Sequence, residues 1–424
     1  MRFNFISLRK QYFSIALCCF FPWGVAVAAE WSIEPSISLH EEYNDNIRFT
    51  PAPHPKVWQT TLRPSLKFSN KTEVSEVSGQ LQLGINRYAG DPTLNQTDQL
   101  LLLFASHMSE RNTWSMNISQ RRDTTSEVAT TGLVQPRTQR SALTLNPSWT
   151  RSLTEKTSLR LDYQYQDVKY DKGTSTNYTY KQGGATLQYA LTERDKVSLG
   201  AFYSKVDYAP NTTVVPCLVV RFGFCFTPGT ITSETVSNSN TRGVQVDWNH
   251  LFSETMTGSF SLGRRNVINT STLNQTQVRG GATTTLPESV TETHSNNYSL
   301  SGKLDKQFES GTIGGLISRD VNPSGSGLVQ TTQYGLSMSK SLTEKLTASL
   351  DTSVYHTTYI SVTAPGSRYY TFEPRLSWHF SEAWMLDSGY RFARVQYDNG
   401  SSPITANAVY LNLTYSWPKI AVSR

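Results

Sequence analysis

The chain has 424 residues, of which 37% are hydrophobic and only 17% charged. So few charges disfavour a soluble protein of this length, whereas a wall that faces lipid outside and neutral polar groups inside accounts for the composition. Thirty-nine basic against thirty-three acidic residues give a net charge of +6, too small an excess to imply a nucleic-acid partner.

Residues 1–28 read as a cleaved secretory signal peptide. Arg2, Arg9 and Lys10 form a basic start, residues 12–21 are apolar, and Ala26-Val27-Ala28 offers a small-residue cleavage site. Without those three cations, residues 29–424 carry a net charge of +3 and form one domain. Cys18 and Cys19 leave with the signal. No later run of about 18 apolar residues offers a membrane helix.

From there the chain alternates apolar and polar residues in short runs. In order these are 31–39, 62–68, 77–85, 100–108, 114–118, 143–149, 159–165, 187–191, 197–203, 244–248, 258–262 and 298–304. A Gly-rich run around Leu316 follows, then 334–338, 348–354, 370–378, 386–392 and 409–417. Between many of them a short acidic punctuation returns: Leu153-Thr154-Glu155-Lys156, Leu191-Thr192-Glu193-Arg194, Phe252-Ser253-Glu254-Thr255, Leu342-Thr343-Glu344-Lys345 and Phe380-Ser381-Glu382-Ala383. Period-2 alternation, tight turns at one end and long loops at the other describe an all-β fold, a transmembrane antiparallel up-and-down β-barrel. The count is about eighteen strands, eight short periplasmic turns and nine longer extracellular loops, with sixteen strands the alternative.

Several local expectations accompany this reading. Trp31, Phe68, Trp114, Trp149, Trp378 and Trp417 gather at the short turns. Tyr88, Tyr170, Tyr178, Tyr208, Tyr298, Tyr355 and Tyr397 gather at the loops, so two aromatic girdles are expected. Pro64, Pro147 and Pro374 recur in like settings within strands, which suggests a tolerated bulge. Residues 266–293, rich in Thr, Asn and Gly, are one long loop or conceal a hairpin. Cys217 and Cys225 flank the seven residues Leu218-Val219-Val220-Arg221-Phe222-Gly223-Phe224, and in an oxidising compartment a disulfide is expected between them.

The faces opposite the apolar stripes should line the lumen. The charged candidates there are Arg160, Asp162, Asp247, Asp351, Glu373, Arg375, Asp387 and Arg391. Mixed sign in a wet interior suits a pore that orients polar solutes, and it equally suits hydrophilic filling. Seven scattered histidines and the lack of a Gly-x-Ser-x-Gly elbow, His-Glu-x-x-His or phosphate loop argue against an enzyme and against a metal or cofactor.

Three stretches resemble putative outer-membrane β-barrel porins of Gram-negative bacteria, including members found beside exopolysaccharide-export genes. They are the opening Leu39-His40-Glu41-Glu42-Tyr43-Asn44-Asp45-Asn46-Ile47, the repeated Leu-Thr-Glu-Lys/Arg turns, and Leu411-Asn412-Leu413-Thr414-Tyr415-Ser416-Trp417-Pro418. The resemblance implies an outer-membrane location and a passive polar channel or export conduit linked to exopolysaccharide. The implied partners are outer-membrane lipid, the barrel-assembly machinery and a polar solute such as polysaccharide. The alternative is a plugged barrel serving as receptor, adhesin or anchor through its loops. One departure is that Pro418 to Arg424 follow the aromatic on which such barrels often finish.

Overall fold

The computed structural model describes residues 30–124, 132–133, 137–171, 175–216, 219–221, 224–227, 229–360 and 364–423. The signal-peptide segment, residues 1–28, lies outside the described residues. Along the chain come β1 (Glu30–Asn44), β2 (Val57–Lys71), β3 (Ser75–Ala89), β4 (Gln96–Met108), β5 (Asn112–Asp123), β6 (Arg140–Ser152), β7 (Thr157–Tyr170), β8 (Tyr178–Ala190) and β9 (Asp195–Tyr208). Next are β10 (Asn211–Val215), β11 (Val219–Arg221), β12 (Phe224–Thr227), β13 (Thr230–Ser253), β14 (Met256–Arg279), β15 (Ala282–Thr285) and β16 (Ser289–Phe308). The chain continues through β17 (Gly311–Ser324), β18 (Gly327–Ser341), β19 (Leu346–Tyr359), β20 (Ser367–His379), β21 (Trp384–Tyr397), β22 (Ile404–Ser416) and β23 (Ile420–Ser423).

Eighteen of these strands form the wall: β1–β9, β13, β14 and β16–β22, each antiparallel to its neighbours. Pairing of β22 with β1, from Ser36↔Ser416 to Asn44↔Ala408, closes the barrel. Past Pro418 the ladder resumes, with β23 running along the start of β1 from Ile33↔Ile420 to Glu30↔Ser423.

The short turns have a common cause. In three of them a threonine hydroxyl accepts backbone N–H groups further along the turn: Thr154 from Thr157 at 3.0 Å, Thr192 from Asp195 at 2.9 Å and Thr343 from Leu346 at 3.0 Å. That local bond gives the backbone a reason to turn where Leu-Thr-Glu recurs.

Along the wall the outward face is apolar, and on many strands it is open. Leu199 is 60% exposed, Leu262 and Leu411 52%, and Val246 49%. A continuous apolar belt of that kind is stable in hydrocarbon and not in water. The molecule is therefore a membrane-spanning barrel of the bacterial outer-membrane type. Among the described residues no helix is long and apolar enough to cross a membrane.

Three expectations need correction. Pro64, Pro147 and Pro374 are not bulges, because the register holds across each. Pairing passes from Leu62↔Ile85 to Ser65↔Gln82, from Leu145↔Tyr165 to Ser148↔Asp162, and from Phe372↔Phe392 to Arg375↔Gly389. Each proline, lacking an N–H, simply interrupts the ladder toward the next strand. Of the loop-end tyrosines, Tyr88, Tyr178, Tyr208 and Tyr355 do not join a girdle; they point inward and are at most 8% exposed. The connection expected as a loop between the runs around 316 and 334 is instead a tight turn at Gly325-Ser326, joining strands that continue to Ser324 and Gly327.

Residues 266–293 follow the hairpin alternative. β13 and β14 each run 24 residues and β16 runs 20. Most other wall strands have 13 to 15. At about 3.3 Å per residue, the surplus carries a narrow sheet of β13, β14 and β16 roughly 30 Å beyond the rim, edged by β10 and β15.

Candidate functional site

The lumen is built from the inward phase of each strand. On β1 it presents His40, Glu42 and Asn44, on β20 Glu373 and Arg375, on β21 Asp387 and Arg391, and on β22 Tyr410 and Asn412. Burial is concentrated at the loop end. All three buried apolar clusters lie there: Ala142, Val168, Tyr178, Val206, Tyr208, Val267 and Leu328; Ile47, Val57, Tyr88 and Leu94; Tyr355, Tyr369, Ala393 and Val395. The turn end is open and the mouth is packed.

Inward-folded segments do the packing. Arg319 is the last residue of β17 paired with β16, at Leu300. Beyond it the β17–β18 hairpin leans across the mouth, and Leu328 enters the first of those clusters while Val321 packs against it. At its tip the carbonyl of Gly325 accepts the Thr176 N–H at 2.7 Å. A Cβ on Gly325 would lie 2.8 Å from the Tyr170 ring and 2.9 Å from Ser175 Cβ, so only glycine fits this approach. Asp320 pairs with Arg265 of β14, whose guanidinium also lies 4.4 Å from the centre of the Phe202 ring. From another side Gly132, at a φ of 67°, presses against Tyr355 of the far wall. Phe49 sets its ring 5.9 Å from that of Tyr369.

Among the described residues two cavities stand out. The larger, about 920 Å³, is lined by Glu42, Asp98, Asp305, Asp351, Glu373 and Asp387 and by Arg48, Arg63, Arg137, Lys303, Arg375 and Arg391. Six acids face six bases, so its formal charge balances. The smaller, about 580 Å³, has Arg121, Arg140 and Arg265 against Asp320, an excess of positive charge that Asp123, 3.7 Å from Arg121 and 3.8 Å from Arg140, only partly offsets. Residues of the leaning hairpin, Asp320 to Pro323 and Leu328, form one wall of the smaller cavity.

Several of these charges are held by partners. Arg391 donates to Glu42 Oε1 at 2.6 Å, and Asn44 donates to the same oxygen at 3.1 Å. Tyr410 donates to Glu373 at 2.7 Å, Ser377 to Asp387 at 2.6 Å, and Arg375 lies 3.7 Å from Asp351. Outside the membrane, Arg48 donates to Asp91 at 2.8 Å and to Thr93 at 2.7 Å, tying the β1–β2 loop to the β3–β4 loop. Hydrogen bonding from Thr93, followed by that from Arg48, holds the Asp91 carboxyl below its usual range.

Of the eight sequence candidates, Asp351, Glu373, Arg375, Asp387 and Arg391 line the larger cavity. Arg160, Asp162 and Asp247 lie on the inward phase nearer the turn end; Asp247 accepts from Gln245 at 3.2 Å and Ser198 at 3.3 Å. Glu42, Arg63 and Asp98 of β1, β2 and β4, and Arg265 with Asp320, were missed. The same period-2 phase marks the first three in sequence; only folding unites the last two. Cys217 lies outside the described residues, and with it the expected bridge to Cys225, whose backbone sits in β12. Among the described residues no cluster of His, Cys, Asp and Glu has metal-binding geometry.

No protein-family model matches the sequence, and no curated protein matches it. Solved barrels are similar in fold. OccAB2 of Acinetobacter baumannii shares 11% identity over 91% of this chain and 98% of its own, with a TM-score of 0.45. The ferric-catecholate import receptor Fiu of E. coli K12 shares 10% over 91% and 81%, at 0.48. Pseudomonas aeruginosa OpdK, solved with vanillate, shares 10% over 91% and 99%, at 0.44. Likeness at this level extends to the barrel alone.

Proposed function

We propose that this protein is a passive outer-membrane channel for small polar solutes, porin-like in action and without enzymatic activity. What carries the reading is the polar inner face running along the wall to a mouth that inward-folded segments narrow but where two cavities lined by charged residues remain. A balanced cavity passes neutral and zwitterionic solutes, while a cationic one favours anions. The test is single-channel recording of the refolded protein in a planar bilayer. Stepwise currents with modest anion preference are expected, and the preference should fall in R121Q/R140Q. A barrel that passes no ions at any voltage would overturn the proposal.

The finer reading carried by the resemblance, export of exopolysaccharide, requires a polymer to thread a mouth divided by the β17–β18 hairpin. The packing of Leu328 and the Thr176–Gly325 bond weigh against that, so small solutes are preferred. Block of the current by long dextrans, with none by glucose, would reverse the preference.

The projecting sheet supports a second reading, attachment of a surface partner. A sealed barrel would favour it.

A further inference from the structure

Just beyond the apolar belt, at the loop end, the outward face changes character on one arc of the wall. The first outward residue past the belt is Lys181 on β8, next to Gly183, and Lys205 on β9, next to Tyr203. It is Arg242 on β13 before Val244, Arg264 on β14 after Leu262, and Arg319 on β17 after Ile317. On β18, β22, β1 and β2 the corresponding residues are Thr332, Asn407, Glu41 and Thr60. Arg87 stands singly elsewhere, Arg394 lies diagonally across from Arg368, and Arg122 and Arg368 are matched by Asp171 and Asp398.

The arc is crowded and little neutralised. Lys181 and Lys205 are directly opposite in register, an arrangement of like charges that costs stability unless an anion sits between them. Lys205 has Asp207 at 2.7 Å. Among the described residues no carboxylate forms an ion pair with Lys181, Arg242, Arg264 or Arg319. Tyrosines interleave with the cations: Tyr165 is opposite Lys181, Tyr203 opposite Arg242, and Tyr298 opposite Arg264. Arg319 lies 4.3 Å from the centre of the Tyr298 ring. Guanidinium and ammonium groups beside phenol hydroxyls, at the height where hydrocarbon gives way to headgroups, form a donor set suited to phosphate.

We propose that this arc binds phosphate-bearing lipid headgroups in the leaflet at the loop end, giving the barrel one anionic-lipid side. The full barrel in neutral detergent is titrated with diphosphoryl lipid A, and bound lipid is counted by native mass spectrometry. Binding should weaken by about fivefold per removed charge in K181Q, R242Q, R264Q and R319Q combined, and should fall with added salt. R87Q/R394Q should bind as the parent does, and R242K/R264K should keep most of the affinity. If the combined variant does not fold, R242Q/R264Q is read in the same way. Equal loss in R87Q/R394Q, undiminished binding in the arc variants, or displacement by equimolar inorganic phosphate would overturn the proposal.

Discussion

At the scale of single residues, the lumen's charges are most informative where they are most enclosed. Glu42 is 4% exposed and answers Arg391. Replacing it by Gln leaves the guanidinium unmatched, at a cost of about 1–3 kcal/mol. E42Q should therefore unfold at lower denaturant than the parent, and E42Q/R391Q should recover part of the loss, as a double-mutant cycle would read. Asp91 works outside the membrane. Its carboxyl titrates below the usual 3.8, so the contribution of its bond to Arg48 is intact above that value and is lost as pH falls through the lowered one. Acidification past that point frees Arg48 into the larger cavity and should raise anion preference in bilayer recordings. D91N should show the raised preference at neutral pH, with a smaller further rise on acidification as the other carboxylates of the cavity protonate.

Among elements, the β17–β18 hairpin decides how open the mouth is. A side chain at Gly325 collides with Tyr170, so G325V should push the tip away and raise unitary conductance. Y170A/G325V, which removes the collision with Tyr170 but not that with Ser175, should return it part of the way toward the parent value. Little of this hairpin's placement was legible in sequence. The wall was readable because lipid outside and water inside enforce a period of two, and because Leu-Thr-Glu marks three of the reversals with its own threonine bond. Turn-forming residues at Asn322-Pro323-Ser324-Gly325 could have shown that the connection is tight. Nothing local says that it leans inward, since Leu328 finds Val168 and Val206 only after the barrel closes. The same holds for Tyr88 and Tyr355, whose composition suits an interface and whose register sends them inside. The overlong β13, β14 and β16 hid for another reason: once above lipid, Thr and Asn satisfy a strand without any apolar alternation.

For the whole molecule, one barrel carries two separable devices, a partitioned lumen and a tall sheet standing on one side of the rim. Excising residues 272–290 and joining Ser271 to Thr291, which are paired in the native ladder, should leave conductance unchanged within recording error. A large change would tie the sheet to permeation. The sheet also breaks the near-rotational sameness that a uniform cylinder would have. Imaged by atomic force microscopy from the loop side, each particle should appear as a ring bearing a single off-centre peak. Its azimuth reports how every copy is turned within its patch of bilayer, so neighbour-to-neighbour orientation becomes something to be measured directly.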